Sequence, residues 1–350
     1  MFFILKTWVS ILRDSLMIVV RSKALNPVLK VRDLETTFFL KTGPFRAVNR
    51  ISYDINKGET IGIVGESGCG KSVTSFSLMQ LVSQPGKITY GSAELNGVDL
   101  IKQSQSQMES IRGGQMAMIF QEPMTALNPV LTIGYQMDEQ IKKHMKYSDK
   151  DAKDRAIEML QLVGIPSASE RYASYPHQLS GGMRQRAMIA MALSCNPQFL
   201  IADEPTTALD VTIQAQILEL FQSLQEKFQM SVQFITHDLG VISEASDHML
   251  VMYGGQMCEK GNTQDILNSP RHPYTAALIE SRPKIGSHLH RLKTIEGSVP
   301  APHEFPKGCP FATRCSRAKS ECWVEKPQMT SFTNSAGNTQ QVACFNPMPN

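Results

Sequence analysis

The stretch Ile61-Gly62-Ile63-Val64 followed by Gly65-Glu66-Ser67-Gly68-Cys69-Gly70-Lys71-Ser72 decides the fold. An apolar run entering G-x-x-x-x-G-K-[ST], with a helix-compatible segment at 73–82 behind it, predicts a buried strand, a phosphate-cradling loop and a helix in that order. Glycines let backbone N–H groups turn inward around phosphate oxygens, and the helix N-terminus adds a favourable dipole. Gly65, Ser67, Gly68, Cys69 and Gly70 form this cradle, and the Cys69 thiol, between two glycines, is expected to stand in the phosphate space with its reactivity raised by Lys71 and the helix N-terminus. In that reading Lys71 reaches the β and γ phosphates, and the Ser72 hydroxyl ligates Mg²⁺. The bland alternative, a glycine-rich turn after a strand, lacks a reason for the Lys-Ser pair.

Working outward, the runs 199–202 and 232–236 are also almost entirely apolar, as suits strands buried on both faces. The segments between them are long enough for crossover helices, which predicts an α/β core with a mostly parallel sheet. Between 123 and 185 the strand signal fades and a helical one takes over, as at 151–163, so an inserted helical subdomain is expected there. The domains then run from 1 to 26 (an extension), 27 to 265 (the phosphate-binding core) and 266 to 350 (a tail rich in Pro, His and Cys).

Composition narrows the partners. Lys and Arg number 35 against 32 Asp and Glu, a net charge of +3 over 350 residues, too little for a general nucleic-acid binder. A spanning helix needs about 20 mostly apolar residues; the longest uncharged apolar stretch, 187–202, is interrupted by Asn196, Pro197 and Gln198. The first 20 residues are apolar but broken by Lys6, Arg13 and Asp14, with no small-residue cleavage site behind them. They read as an interfacial amphipathic helix or as a start placed upstream of Met17.

Asp203 and Glu204 close the apolar run 199–202. Asp203 is expected to hold Mg²⁺ through water, and Glu204 to take the proton of an attacking water as general base. Such a pair after a strand is more often a solvated strand end; beside the phosphate loop it gains a role. Leu179-Ser180-Gly181-Gly182-Met183-Arg184-Gln185-Arg186 then opens a helix, with Ser180 as N-cap and Gly181 and Gly182 leaving backbone N–H groups open to an anion.

With that motif the chain resembles the P-loop NTPase subunits that bind ATP in ABC transporters. The resemblance implies that Ser180, Gly181 and Gly182 cover the γ-phosphate held by a partner subunit, so that two ATP molecules are sandwiched between two subunits. It also implies that Gln121 senses Mg²⁺ and the attacking water, that Asp210, in Ala208-Leu209-Asp210, links the sites across the dimer interface, and that His237 contacts the γ-phosphate. A lone His at a strand end is usually structural; its place in this order carries the functional reading. Phe38 is expected to stack on adenine, with Phe39 and Phe45 as alternatives.

The segments Phe120-Gln121-Glu122-Pro123-Met124-Thr125-Ala126-Leu127-Asn128-Pro129 and His272-Pro273-Tyr274-Thr275, with the tail cysteines, are similar to the oligopeptide/dipeptide permease branch of that family. Met183 and the run 188–193 resemble its D-type subunits. That implies an F-type ATP-binding paralogue as partner, two transmembrane permease subunits, a substrate-binding protein acting through them, and a place at the cytoplasmic face of the inner membrane. Importers of nickel and other small solutes share most of these motifs. A soluble non-transport ABC ATPase is the rival class, although neither a long coiled coil nor a second ATPase unit is present.

Of seven cysteines, Cys309, Cys315, Cys322 and Cys344 crowd the tail as C-x₅-C-x₆-C-x₂₁-C, unlike the compact pairs of common zinc folds. Without export a disulfide framework is disfavoured and four thiolates suit a soft metal centre. The permease resemblance implies a [4Fe–4S] cluster; zinc and free buried thiols are the alternatives. Either way the tail is expected to leave nucleotide affinity untouched.

Overall fold

Every residue of β3 (Thr60–Val64), β7 (Phe199–Asp203) and β8 (Ser231–Ile235) is buried. These three apolar runs become neighbours in the computed structural model, which describes residues 27–207, 210–281, 294–301 and 303–349. Parallel pairing continues to β6 (Met116–Ile119) on one side and β9 (His248–Tyr253) on the other. Alternation along each strand divides the core. Ile61, Ile63, Phe199 and Ile201 face one apolar cluster; Leu200, Ala202 and Phe234 face another.

The first cluster is closed by a layer the sequence reading did not anticipate. β1 (Pro27–Leu40), β2 (Gly43–Asn56), β4 (Gly86–Leu95) and β5 (Val98–Asp99) form a four-stranded antiparallel sheet in the order β2-β1-β4-β5. Its apolar face, with Leu29, Val31, Ile51 and Ile55, packs over Ile61 and Ile63. Register shifts between Val31 and Leu34 and again between Leu34 and Thr37 interrupt the two-residue alternation, and this hid the long strands in the sequence pattern.

On the other side lie the helices Ile133–Met145, Asp149–Leu162 and Gly181–Leu193. Ile133, Met137 and Ile141 recur at helical spacing and are fully buried. Thr132 and Ser148 cap the first two helices through the backbone N–H groups of Tyr135 and Asp151.

The tail is stitched into the main sheet. β10 (Gln256–Asn262) pairs antiparallel with β9, β12 (Thr339–Ala343) pairs with β10, and β11 (Met329–Thr333) closes the edge. The eight-stranded order is β11-β12-β10-β9-β3-β8-β7-β6. Both tail strands are largely polar, which concealed them from a hydrophobic-pattern reading. Among the described residues no helix is long and apolar enough to cross a membrane. The expectations for 1–26, including Met17, and for Ala208 and Leu209 fall outside the described residues.

Candidate nucleotide site

The carboxyl ends of β3, β6, β7 and β8 open on one edge of the sheet, where open α/β sheets place their ligands. Gly65–Ser72 follows β3 and passes into the helix Lys71–Leu78, shorter than the expected 73–82 because the chain turns at Gln80 with φ 50°. Gly70, the N-cap, has φ 99°, and a Cβ there would lie 2.2 Å from the Ala47 carbonyl oxygen. Only glycine fits. The Lys71 ammonium donates to the carbonyl oxygens of Gly65 at 2.8 Å and Glu66 at 3.1 Å, lying back along the loop.

A cavity of about 510 Å³ spreads over this loop, lined by Phe38, Phe45, Ser67, Gly68, Gly70, Lys71, Ser72, Gln121 and Glu204. Phe38 and Phe45 are register partners on β1 and β2 and so share a face, whereas Phe39 pairs with Pro44 and is 51% exposed. The antiparallel sheet thus supplies the aromatic wall, and Leu40 extends it. Phe39 is removed from the adenine candidates because alternation sends it to the other face.

Asp203 is buried, and its carboxylate accepts from the Ser72 hydroxyl at 3.2 Å. Burial raises the Asp203 pKa, Ser72 opposes the rise, and the neighbouring Glu204 charge adds to it. Glu204 takes φ 46° while its N–H donates to the Ile235 carbonyl oxygen at 2.8 Å. That left-handed turn at the strand end carries its carboxylate out into the cavity. There one oxygen accepts from Gln121 Nε2 at 3.0 Å and from the Thr207 hydroxyl at 2.9 Å. His237 Nδ1 lies 3.4 Å from the other oxygen. β6 ends at Ile119 and β8 at Ile235, so Gln121 and His237 stand on loops beyond their strands. Ser72, Gln121 and Asp203 offer hard oxygen donors of the kind Mg²⁺ takes, and their chemistry fits it.

Thr207 was missed from the sequence, since a hydroxyl three residues beyond a carboxylate carries no pattern of its own. Cys69 is corrected. Its side chain turns into the apolar core and is 1% exposed, and burial pushes its thiol up despite the adjacent Lys71. The cradle it belongs to is therefore made by its backbone.

Ser180 caps Gly181–Leu193 through the Met183 N–H, and a Cβ on Gly181 would meet open space. None of Ser180, Gly181 and Gly182 lines the cavity. Asp210 caps the helix Val211–Phe228 by accepting from the Ile213 N–H at 2.9 Å.

In the tail, Cys309, Cys315, Cys322 and Cys344 line one pocket of about 10 Å³ with His272 and Phe311. Burial, and then the other three thiols, push Cys309 up to about 12 against the Phe311 N–H. Four thiols are a soft donor set, but among the described residues no three His, Cys, Asp or Glu side chains are grouped closely enough to hold a metal ion.

The family model "ABC transporter" matches residues 48–207, and "Oligopeptide/dipeptide transporter, C-terminal region" matches 258–322. The chain is 51% identical to the oligopeptide transport ATP-binding protein AppD of Bacillus subtilis over 92% of its length and 97% of that protein's. It belongs to this ABC transporter family. The dipeptide transport ATP-binding protein DppD of Escherichia coli is 46% identical, over 92% of this chain and 97% of that one. Among solved structures, a dimeric ATP-binding cassette in a post-hydrolysis state with ADP and Pi superposes with a TM-score of 0.60 at 26% identity, covering 67% of this chain and 98% of its own. The chain is an ABC-type ATPase, as the motif order anticipated.

Proposed function

We propose that this ATPase powers the import of di- and oligopeptides. In this reading the loop N–H groups and Lys71 bind the phosphates of ATP, and Phe38 with Phe45 stacks on adenine. Ser72, Gln121 and Asp203 hold Mg²⁺, directly or through water; when bound, Mg²⁺ offsets charge on the β and γ phosphates. Glu204 takes a proton from the water whose oxygen forms the new bond to the γ-phosphorus, while the bond to the ADP oxygen breaks. Gln121 and Thr207 hold the carboxylate in place, and His237 contacts the γ-phosphate. The observation that carries this is the Glu204 carboxylate held between Gln121, Thr207 and His237 at the cavity that contains Lys71 and Ser72.

Ser180, Gly181 and Gly182 lie off that cavity, which supports their acting on ATP held by a second ATP-binding subunit, an F-type paralogue, with Asp210 at the interface. Two transmembrane permease subunits, met by the helical segment near 124–141, and a substrate-binding protein complete the assembly. Its site is the cytoplasmic face of the inner membrane. Residues 27–265 form the ATPase domain and 266–350 the permease-type tail. The names of the relatives support peptide as the cargo. In a reconstituted transporter, receptor loaded with peptide should raise ATPase turnover severalfold over empty receptor; stimulation by nickel-loaded receptor alone would move the chain to the metal importers, and indifference to any membrane partner to a soluble ATPase.

The four tail cysteines hold a [4Fe–4S] cluster in this reading. Support comes from four thiols, a soft donor set, lining one pocket. When bound, such a centre would add folding energy to a segment whose Phe311 and Ala312 already pack into the main core. Anaerobically purified protein should be brown and carry about four iron per chain; one zinc and no iron would replace the cluster, and no metal would leave buried thiols.

A further inference from the structure

The tail reaches the phosphate loop itself. Arg314, adjacent to Cys315, forms a two-pronged pair with Glu66, at 2.7 Å and 3.1 Å. The guanidinium is fixed from behind by the Glu296 carbonyl oxygen at 2.9 Å and those of Ile295 and Gly297 at 3.3 Å, and it lies beside the Tyr253 hydroxyl. Only 4% of the Arg314 side chain is exposed, against 28% for Glu66. A second tie runs from the Glu66 backbone N–H to the Tyr274 hydroxyl at 2.8 Å, and Tyr274 packs on Phe311 from the cysteine segment.

Glu66 is an anion inside a loop that must bind anions. Left alone, its carboxylate repels the phosphates and frees the loop to move. We propose that Arg314 and Tyr274 are positioning residues for ATP binding: Arg314 neutralises and anchors the Glu66 side chain, Tyr274 anchors its backbone, and the tail thereby sets nucleotide affinity. The proposal rests on the ATP-site reading above, and it reverses the expectation that the tail leaves that site alone. A forked guanidinium suits the task because it meets both carboxylate oxygens in one plane.

The test is ATPase kinetics of the assembled transporter with Arg314→Ala, Arg314→Lys, Glu66→Gln, Tyr274→Phe and the double variant Arg314→Ala/Glu66→Gln. Charge-assisted pairs of this kind predict that Arg314→Ala raises KM for ATP about tenfold while kcat at saturating ATP stays within about twofold. Arg314→Lys should fall between, and Tyr274→Phe should raise KM severalfold. The deciding result is the double variant. If the Glu66 charge is what Arg314 manages, removing it recovers most of the lost affinity, which a general loosening of the tail would not allow. An unchanged KM in Arg314→Ala, or a double variant no better than that single one, overturns the proposal. Should Arg314→Ala fail to assemble, unchanged KM values in both Arg314→Lys and Tyr274→Phe overturn it. Lys71→Ala, run alongside, tests the site reading separately: retained ATP binding there would remove the site and leave the Glu66 contacts unexplained.

Discussion

Replacing Glu204 by Gln isolates the general base from everything else the side chain does. In the structure one carboxylate oxygen accepts from Gln121 and Thr207, and the other faces His237 Nδ1 at 3.4 Å. A glutamine can put its carbonyl oxygen in the first position and keep both bonds. Its amide then faces a ring nitrogen able to accept when the imidazole is neutral. The folding cost is therefore small, below about 1 kcal/mol, because no buried donor is left unpaired. Lys71, Ser72 and Asp203 are untouched, so ATP affinity should change less than about threefold, or roughly 0.7 kcal/mol. What disappears is proton acceptance, worth about 10²–10⁴-fold in turnover. Single-turnover ATP hydrolysis by the subunit pair, with nucleotide binding measured on the same sample, separates the two effects. ATP-bound pairs should also accumulate on size-exclusion chromatography. Turnover within a fewfold of the unsubstituted protein, at full Mg²⁺ and with the partner present, would refute the assignment of Glu204 as base.

Three further outcomes follow from the geometry. Phe38→Ala should weaken ATP binding by roughly 1–3 kcal/mol, the range for an aromatic stacked on a base, whereas Phe39→Ala should leave it unchanged in the same fluorescence titration. Cys69 should label slowly with a maleimide in the native chain whether or not ATP is present, and fast only on unfolding, as mass spectrometry of the labelled peptide will show; rapid native labelling blocked by ATP would place the thiol in the cradle. Glu59 is buried, which favours its neutral form, yet hydrogen bonds from His248 and the Asn56 backbone outweigh that and hold its carboxyl below the usual range. A depressed pKa gives stability that is present above the ordinary value and lost as pH falls through the native one. Glu59→Gln should therefore lower Tm at pH 7 and narrow its gap to the native chain as the medium is acidified.

What could be read from the sequence follows from how local each signal is. The phosphate loop, Asp203 with Glu204, and the strands at 61–64, 199–202 and 232–236 are encoded in contiguous residues whose chemistry and burial agree. Gln121 and His237 were found only by their order along the chain, since a lone polar residue past a strand has no pattern. Phe38 could not be separated from Phe39 and Phe45 until the β1–β2 register put Phe38 opposite Phe45. The antiparallel sheet escaped because bulges break its alternation, and β11 and β12 because both are short and largely polar, with a polar Gln340 on the buried face of β12 beside Val342. The Arg314–Glu66 pair joins residues 248 positions apart, a distance at which no single-sequence pattern speaks. The inward turn of Cys69 was likewise invisible, because the loop's spacing fixes the backbone path and not the side of the loop each residue faces.

The most direct test of the account is ATP-driven uptake of a labelled dipeptide or short oligopeptide into proteoliposomes holding the assembled transporter and its receptor. Peptide should accumulate above the outside concentration, require hydrolysable ATP, and fail to accumulate with Glu204→Gln in this subunit. Peptide accumulation that persists with Glu204→Gln, or vigorous ATP hydrolysis with no peptide movement at any length tried, would contradict it.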